Sequence, residues 1–196
     1  MTPFTLNPAI DVPALSAQFA RDGVIQIDGF LGPAAPGFRD HLLARTDWNF
    51  VLNSNEQVYE VPRHGPNALP PDQEARLREA ILVKARDGFQ FCYDSIRVPD
   101  EDRERREDDP LHAFARFMSS AAVIDLLRAV TGRDAIDFAD AQATAYRPGD
   151  FLTTHDDGVA GKHRHAAYVL SLSPDWRAEW GGLLLFHDGR GDILRG

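Results

Sequence analysis

Apolar residues recur along this chain at two different periods, and the change comes near residue 133. Val12, Leu15 and Phe19 fall at helical spacing within residues 11–22, with Asp11-Val-Pro as a start signal and Gly23 as a stop. Val24-Ile-Gln-Ile-Asp alternates as a half-buried strand does, and the Gly/Pro-rich residues 29–37 turn the chain into a second helix through Phe38, Leu42 and Leu43. Residues 48–71 read as strands and long loops, with Val58-Tyr59 as one strand-like pair. Leu77, Ile81 and Leu82 predict a helix over 72–88, followed by a strand at Phe89-Gln-Phe-Cys-Tyr. Residues 111–130 are helical again, restarting at Ser120 and closing at Gly132.

Beyond Gly132 the pattern becomes short strands between turns: 135–146, a turn at Pro148-Gly-Asp, then 151–154, 164–172 and 182–186. Helices first and closely spaced strands afterwards predict an α+β fold, with helices supporting a sandwich-like or barrel-like β core. No flexible linker marks the change, so residues 1–196 read as a single domain, with 1–133 as helical support and 134–196 as the β part. Residues 99–110 hold seven acids and three arginines with no large apolar side chain, which predicts a solvated loop.

Composition narrows the classes of function. The 196 residues, 43% hydrophobic and 26% charged, suffice for a buried core without disulfides, and Cys92 has no cysteine to pair with. The net charge of −9 argues against direct nucleic-acid binding, which needs clustered Lys and Arg, and mildly favours a basic peptide as partner. No secretory leader and no membrane span is legible, and a cytoplasmic location is the expectation.

The chemistry concentrates in Tyr146-Arg-Pro-Gly-Asp-Phe-Leu-Thr-Thr-His-Asp-Asp-Gly. On extended backbone residues two apart share a face, so His155 and Asp157 can aim an imidazole nitrogen and a carboxylate at one point, while Asp156 turns away. Two histidines and one carboxylate with open positions opposite form the site of non-haem Fe(II) oxygenases. The bland alternative for His-x-Asp is a turn aspartate beside a surface histidine. His155, His163 and His165 could also suggest a zinc site, although structural zinc sites usually include cysteines.

The order Tyr-x-x-Gly-Asp-x-Leu, His-Asp-Asp, the Arg-initiated segment 164–172, Trp176 and Trp180-Gly-Gly-Leu-Leu-Leu-Phe resembles the Fe(II)/2-oxoglutarate-dependent oxygenases. Within them it is most similar to the prolyl-hydroxylase group, particularly the branch acting on a ribosomal protein. The resemblance implies a double-stranded β-helix (jelly-roll, cupin-like) core and hydroxylation of a protein or peptide at proline. It implies Fe(II) as metal, 2-oxoglutarate as cosubstrate and ascorbate as an accessory. His155 and Asp157 become the first two iron ligands, and Tyr146 and Tyr168 the residues that bind 2-oxoglutarate. Trp180-Gly-Gly matches the segment where paired glycines permit close backbone approach. The family also has a second histidine ligand and a basic residue for the distal carboxylate, both further along than this sequence runs. The β core is therefore expected to break off before its last strands. His187, Arg190 and Arg195 are weak substitutes. The alternative is an oxygenase-derived binding module without catalysis.

Overall fold

The computed structural model describes residues 3–54, 57–158, 163–188 and 190–195. The architecture is α+β, and its contacts divide the chain into two compact units: Met1–Arg45, Arg97–Ala143 and Gly158–Leu172 in the first, and Thr46–Ile96, Thr144–Asp157 and Ser173–Gly196 in the second.

The first unit is helical. α1 (Val12–Asp22) begins where Asp11 accepts the Ala14 N–H and ends where Gly23 adopts φ 69°. A Cβ at Gly23 would touch nothing within 4 Å, so the only penalty for alanine is conformational. Gly23→Ala is expected to lower stability by about 1 kcal/mol, read as a shift of the urea midpoint. α2 (Ala35–Leu43), α4 (Pro110–Met118) and α5 (Ala121–Thr131) complete the helices of this unit. Their apolar faces meet in an aromatic cluster: the Phe4 ring lies 5.0 Å from Phe38 and 5.6 Å from Phe114, and Phe38 stacks on Phe114 at 5.1 Å. Ala115 and Val123 are fully buried.

The second unit is built on an antiparallel sheet. β1 (Asn49–Ser54) and β2 (Gln57–Pro62) form a hairpin, and β3 (Phe91–Arg97) pairs with the other edge of β1, placing Phe50 opposite Asp94, Val51 opposite Tyr93 and Leu52 opposite Cys92. β4 (Gln142–Ala145) and β5 (Phe151–Leu152) lie on the far side of β3. α3 (Pro71–Lys84) covers one face, burying Ile81 with Phe50, Leu52 and Cys92. β6 (Phe186–His187) and β7 (Ile193–Arg195) form a separate two-stranded ribbon.

Several elements depart from the sequence pattern. Residues 24–28 form no strand: the Gln26 side chain bonds Asp28 at 2.8 Å, and Gly29, at φ 65°, turns the chain before a ladder can form. Strand 135–146 contracts to β4, and 182–186 to the two residues of β6. Residues 164–172 are not a strand; their anchors are side-chain bonds, Arg164 to the Asp140 carboxylate at 2.9 Å and Tyr168 to the Asp140 carbonyl at 2.8 Å. The acidic stretch 99–110 is more than solvated surface. Arg105 is buried and donates to the carbonyls of Pro99 and Asp100, and buried Asp109 caps α4.

Candidate metal centre

His155 and Asp157 follow β5 in the second unit, and their positions are fixed by short steps from β3. Thr153 is held to Gln90 twice: its N–H donates to the Gln90 carbonyl at 3.0 Å, and its hydroxyl accepts from the Gln90 N–H at 2.9 Å. The Thr153 carbonyl in turn accepts from His155 Nδ1 at 2.9 Å. A carbonyl oxygen can only accept, so this bond places a ring proton on Nδ1 and turns Nε2 toward Asp157. Nε2 lies 3.6 Å from Asp157 Oδ1. Two ligands each about 2.1 Å from one ion stand roughly 3.0–3.4 Å apart, so the pair is near the spacing a shared ion imposes. The donor set, one neutral imidazole nitrogen oriented by a backbone carbonyl and one carboxylate, is chemically suited to Fe(II).

A row of rings runs across the β3 face away from α3. The His155 ring is 5.6 Å from Phe89, Phe89 is 5.5 Å from Phe91, Phe91 is 5.3 Å from Tyr93, and Tyr93 is 5.4 Å from Tyr146. Alternation along the strand explains the arrangement, since Phe91 and Tyr93 share one face while Cys92 and Asp94 share the other. Phe89 and Tyr146 remain about half exposed, so both ends of the row are open to a ligand. Burial, helped by Tyr93 and Asp150, pushes the Tyr146 hydroxyl up to about 12, which keeps it a neutral donor at physiological pH.

Tyr168 belongs to the first unit, where its hydroxyl donates to the Asp140 carbonyl and burial raises its pKa above the ordinary tyrosine value. The His187 ring bonds the Gly191 carbonyl at 3.0 Å within the β6–β7 ribbon. Arg190 sits in the connecting turn, its N–H donating to the Asp188 carboxylate. Among the described residues no cluster of three or more His, Cys, Asp or Glu gathers, so neither His187 nor the pair His163 and His165 completes a metal-holding set there. The register across 159–162 and the Arg195 side chain lie outside the described residues. At the paired glycines, Gly182 has φ 64°, and a Cβ there would stand 3.2 Å from the Trp176 ring, so the close approach is to that indole.

Sequence reasoning missed the partners of the Arg-Pro-Gly-Asp turn. Asp150 is wholly buried and pairs with Arg78 of α3 at 2.5 Å, and Arg147 pairs with buried Asp94 at 2.7 Å. The available signal was Asp94 itself, an acid in a strand otherwise built from Phe, Cys, Tyr, Ser, Ile and a terminal Arg, where Asp is disfavoured.

Residues 141–194 match the model of the 2OG-Fe(II) oxygenase superfamily. The matched segment contains Tyr146, His155, Asp157 and Tyr168; it supports a dioxygenase-type function and implies Fe(II) and 2-oxoglutarate. No curated protein and no solved structure matches the chain. Among the described residues no helix is long and apolar enough to cross a membrane.

Proposed function

We propose that this chain carries the metal- and cosubstrate-binding part of an Fe(II)- and 2-oxoglutarate-dependent dioxygenase that hydroxylates a peptide or protein at proline. The observation that carries the reading is the His155–Asp157 pair, 3.6 Å apart with the imidazole tautomer set by the Thr153 carbonyl. The iron, when bound with 2-oxoglutarate, supplies the oxidative chemistry: one oxygen atom of O₂ enters the substrate C–H bond and the other leaves in succinate, with loss of CO₂.

The chain's own residues do the rest. His155 Nε2 and the Asp157 carboxylate hold the metal. Tyr146 donates its phenolic proton to a carboxylate of 2-oxoglutarate, a role suited to a hydroxyl that stays protonated. Phe89, half exposed beside His155, offers the substrate an aromatic face, and proline-rich peptides are recognised on aromatic-lined grooves. The net charge of −9 favours a basic partner, as a ribosomal protein is. A jelly-roll setting for the site, a contribution from Tyr168, stimulation by ascorbate and a cytoplasmic location belong to the same proposal.

The test is to incubate the protein with Fe(II), 2-oxoglutarate and basic proline-containing peptides and follow both succinate and peptide mass. A gain of one oxygen on a prolyl residue, coupled to succinate, is the expected result. Succinate formation with no oxygen on proline in any peptide would retain the dioxygenase and remove the prolyl substrate. Tyr146→Phe should raise the KM for 2-oxoglutarate about tenfold or more, the loss of one hydrogen bond to a charged group, with kcat changed less.

A further inference from the structure

Six charged side chains of the second unit close into a ring. Arg78 donates from Nη1 to Asp150 Oδ1 at 2.5 Å and from Nε to Glu74 Oε1 at 2.9 Å. The same Glu74 oxygen accepts from Arg63 Nη1 at 2.8 Å, and Arg63 Nε donates to Asp94 Oδ1 at 2.5 Å. Arg147 Nε reaches Asp94 Oδ2 at 2.7 Å, and the Arg147 backbone N–H closes the circuit on Asp150 Oδ2 at 2.7 Å. Three guanidinium groups meet three carboxylates, so the ring is charge-balanced. The guanidiniums of Arg63 and Arg78 each lie 4.5 Å from the buried Phe50 ring.

Stability alone does not account for such a ring: Arg147 is 53% exposed and Arg78 and Glu74 about a quarter, where ion pairs add little, and apolar residues commonly do as well where such pairs are buried. Its location suggests what it adds. It grips the Arg147–Asp150 turn, with Tyr146 immediately before it and the path to His155 and Asp157 immediately after. β5 has only two residues, paired as Phe91 with Leu152 and Cys92 with Phe151, and is extended only by the Thr153–Gln90 bonds, so its other end depends on how the Arg147–Asp150 turn is held. We propose that the ring is a positioning device: it pins the turn to α3 and β3, so that Tyr146 and the His155–Asp157 pair are held before any ligand binds. Arg78 acts through Asp150 and touches neither metal nor substrate, which makes it a positioning residue. The proposal rests on reading His155 and Asp157 as metal ligands.

Two readouts on the full chain separate the possibilities: hydrogen exchange followed by mass spectrometry, and Mn(II) titration by paramagnetic resonance in the presence of 2-oxoglutarate. Arg78→Met keeps the stem and removes the charge. It should speed exchange across 151–157 about tenfold or more, leave α4 and α5 unchanged, and weaken Mn(II) binding 10- to 100-fold, the range seen when supports of metal ligands are removed. Arg78→Lys keeps the charge and should recover Mn(II) affinity to within about threefold of wild type, because a point charge can still reach Asp150. If Arg78→Met fails to fold by circular dichroism, Glu74→Gln, which weakens the ring but leaves Arg78 on Asp150, is read by the same criteria. Unchanged exchange in 151–157, a uniform rise across the protein, or faster local exchange with undiminished Mn(II) affinity would each overturn the proposal. Wild-type protein that takes up no Mn(II) would instead overturn the ligand reading of His155 and Asp157; the exchange result would still decide whether the ring holds the turn.

Discussion

Replacing either His155 or Asp157 by alanine should cut Fe(II)-dependent conversion of 2-oxoglutarate to succinate by about 100-fold or more, while leaving the folded state nearly as stable as before. The size follows from the ligand arithmetic. Removing a residue that merely supports a ligand costs about 10- to 100-fold in affinity or activity, so removing a donor itself lies at or beyond the upper end. The indifference of stability follows from exposure. The side chains are 33% and 57% exposed, and substitutions at such positions usually stay within about 0.5 kcal/mol. Loss of turnover with an unchanged urea midpoint is therefore the signature of a metal ligand; a turn-forming aspartate beside a surface histidine predicts no loss of turnover. Wild-type rates in either variant would remove the dioxygenase assignment. Asp157→Glu sharpens the result, since it keeps the charge but moves the oxygen along the side chain. Its expected activity lies well below wild type.

The closeness of His155 and Asp157 was legible in the sequence because their spacing is local. His155 and Asp157 are two residues apart, and extended backbone suffices to bring their donors together without knowledge of the rest of the fold. The helices were equally readable from Asp11 and Gly23, and from Ser120 and Gly132, since caps are written beside the elements they bound. What was not legible depends on pairings distant along the chain. Val24-Ile-Gln-Ile-Asp and residues 164–172 carry strand-like residues, but a strand needs a neighbour, and periodicity cannot say whether one arrives. The charged ring was invisible for the same reason. Arg78 and Asp150 are 72 positions apart, and each alone reads as an ordinary surface charge. The acidic stretch 99–110 is largely exposed, as its charge predicts, and what charge alone does not show is that Arg105 and Asp109 are buried with their partners supplied.

The two faces of β3 divide the work of the second unit. Cys92 and Asp94 face α3, where apolar packing and the ring of charges fix the strand; burial raises the Cys92 thiol above its ordinary pKa, so it serves as a neutral core residue. Phe91 and Tyr93 face the other way, stacked on each other, and with Phe89 join His155 to Tyr146 through tilted ring contacts. A seven-residue strand thus ties the packed core on one side to the row of rings on the other. Substitutions that invert its alternation should disturb both together.

The largest stability effect is expected in the first unit, at Asp109. Its carboxylate accepts from Arg45 at 2.7 and 2.8 Å, from Arg106, and from the Leu111 N–H at 2.8 Å as the cap of α4, with only 3% of the side chain exposed. Asp109→Ala removes the cap and takes from Arg45, itself 8% exposed, the carboxylate it holds at 2.7 and 2.8 Å. Breaking a buried pair in this way costs about 3–5 kcal/mol, to be read from the urea midpoint. The same carboxylate gives the protein an acid limit. Burial pushes its pKa up, but the bonds from Arg45, Arg106 and Leu111 outweigh that and hold it well below the usual carboxylate range. A folded-state pKa below the unfolded one stabilises the native state above the unfolded value, about 3.9, and that contribution is lost as pH falls further. His112 acts in the same direction at higher pH. Burial outweighs the pull of Asp109 and depresses its pKa, so its contribution is complete above about 6.5 and declines below that. Urea midpoints measured from pH 8 down to pH 3 should therefore fall in two stages. Asp109→Asn should shrink the second stage, leaving the share of Glu74, whose pKa burial raises but Arg63 and Arg78 hold below its ordinary value, while preserving a decline beginning near neutrality; an unaltered low-pH stage in that variant would show that other carboxylates set the limit.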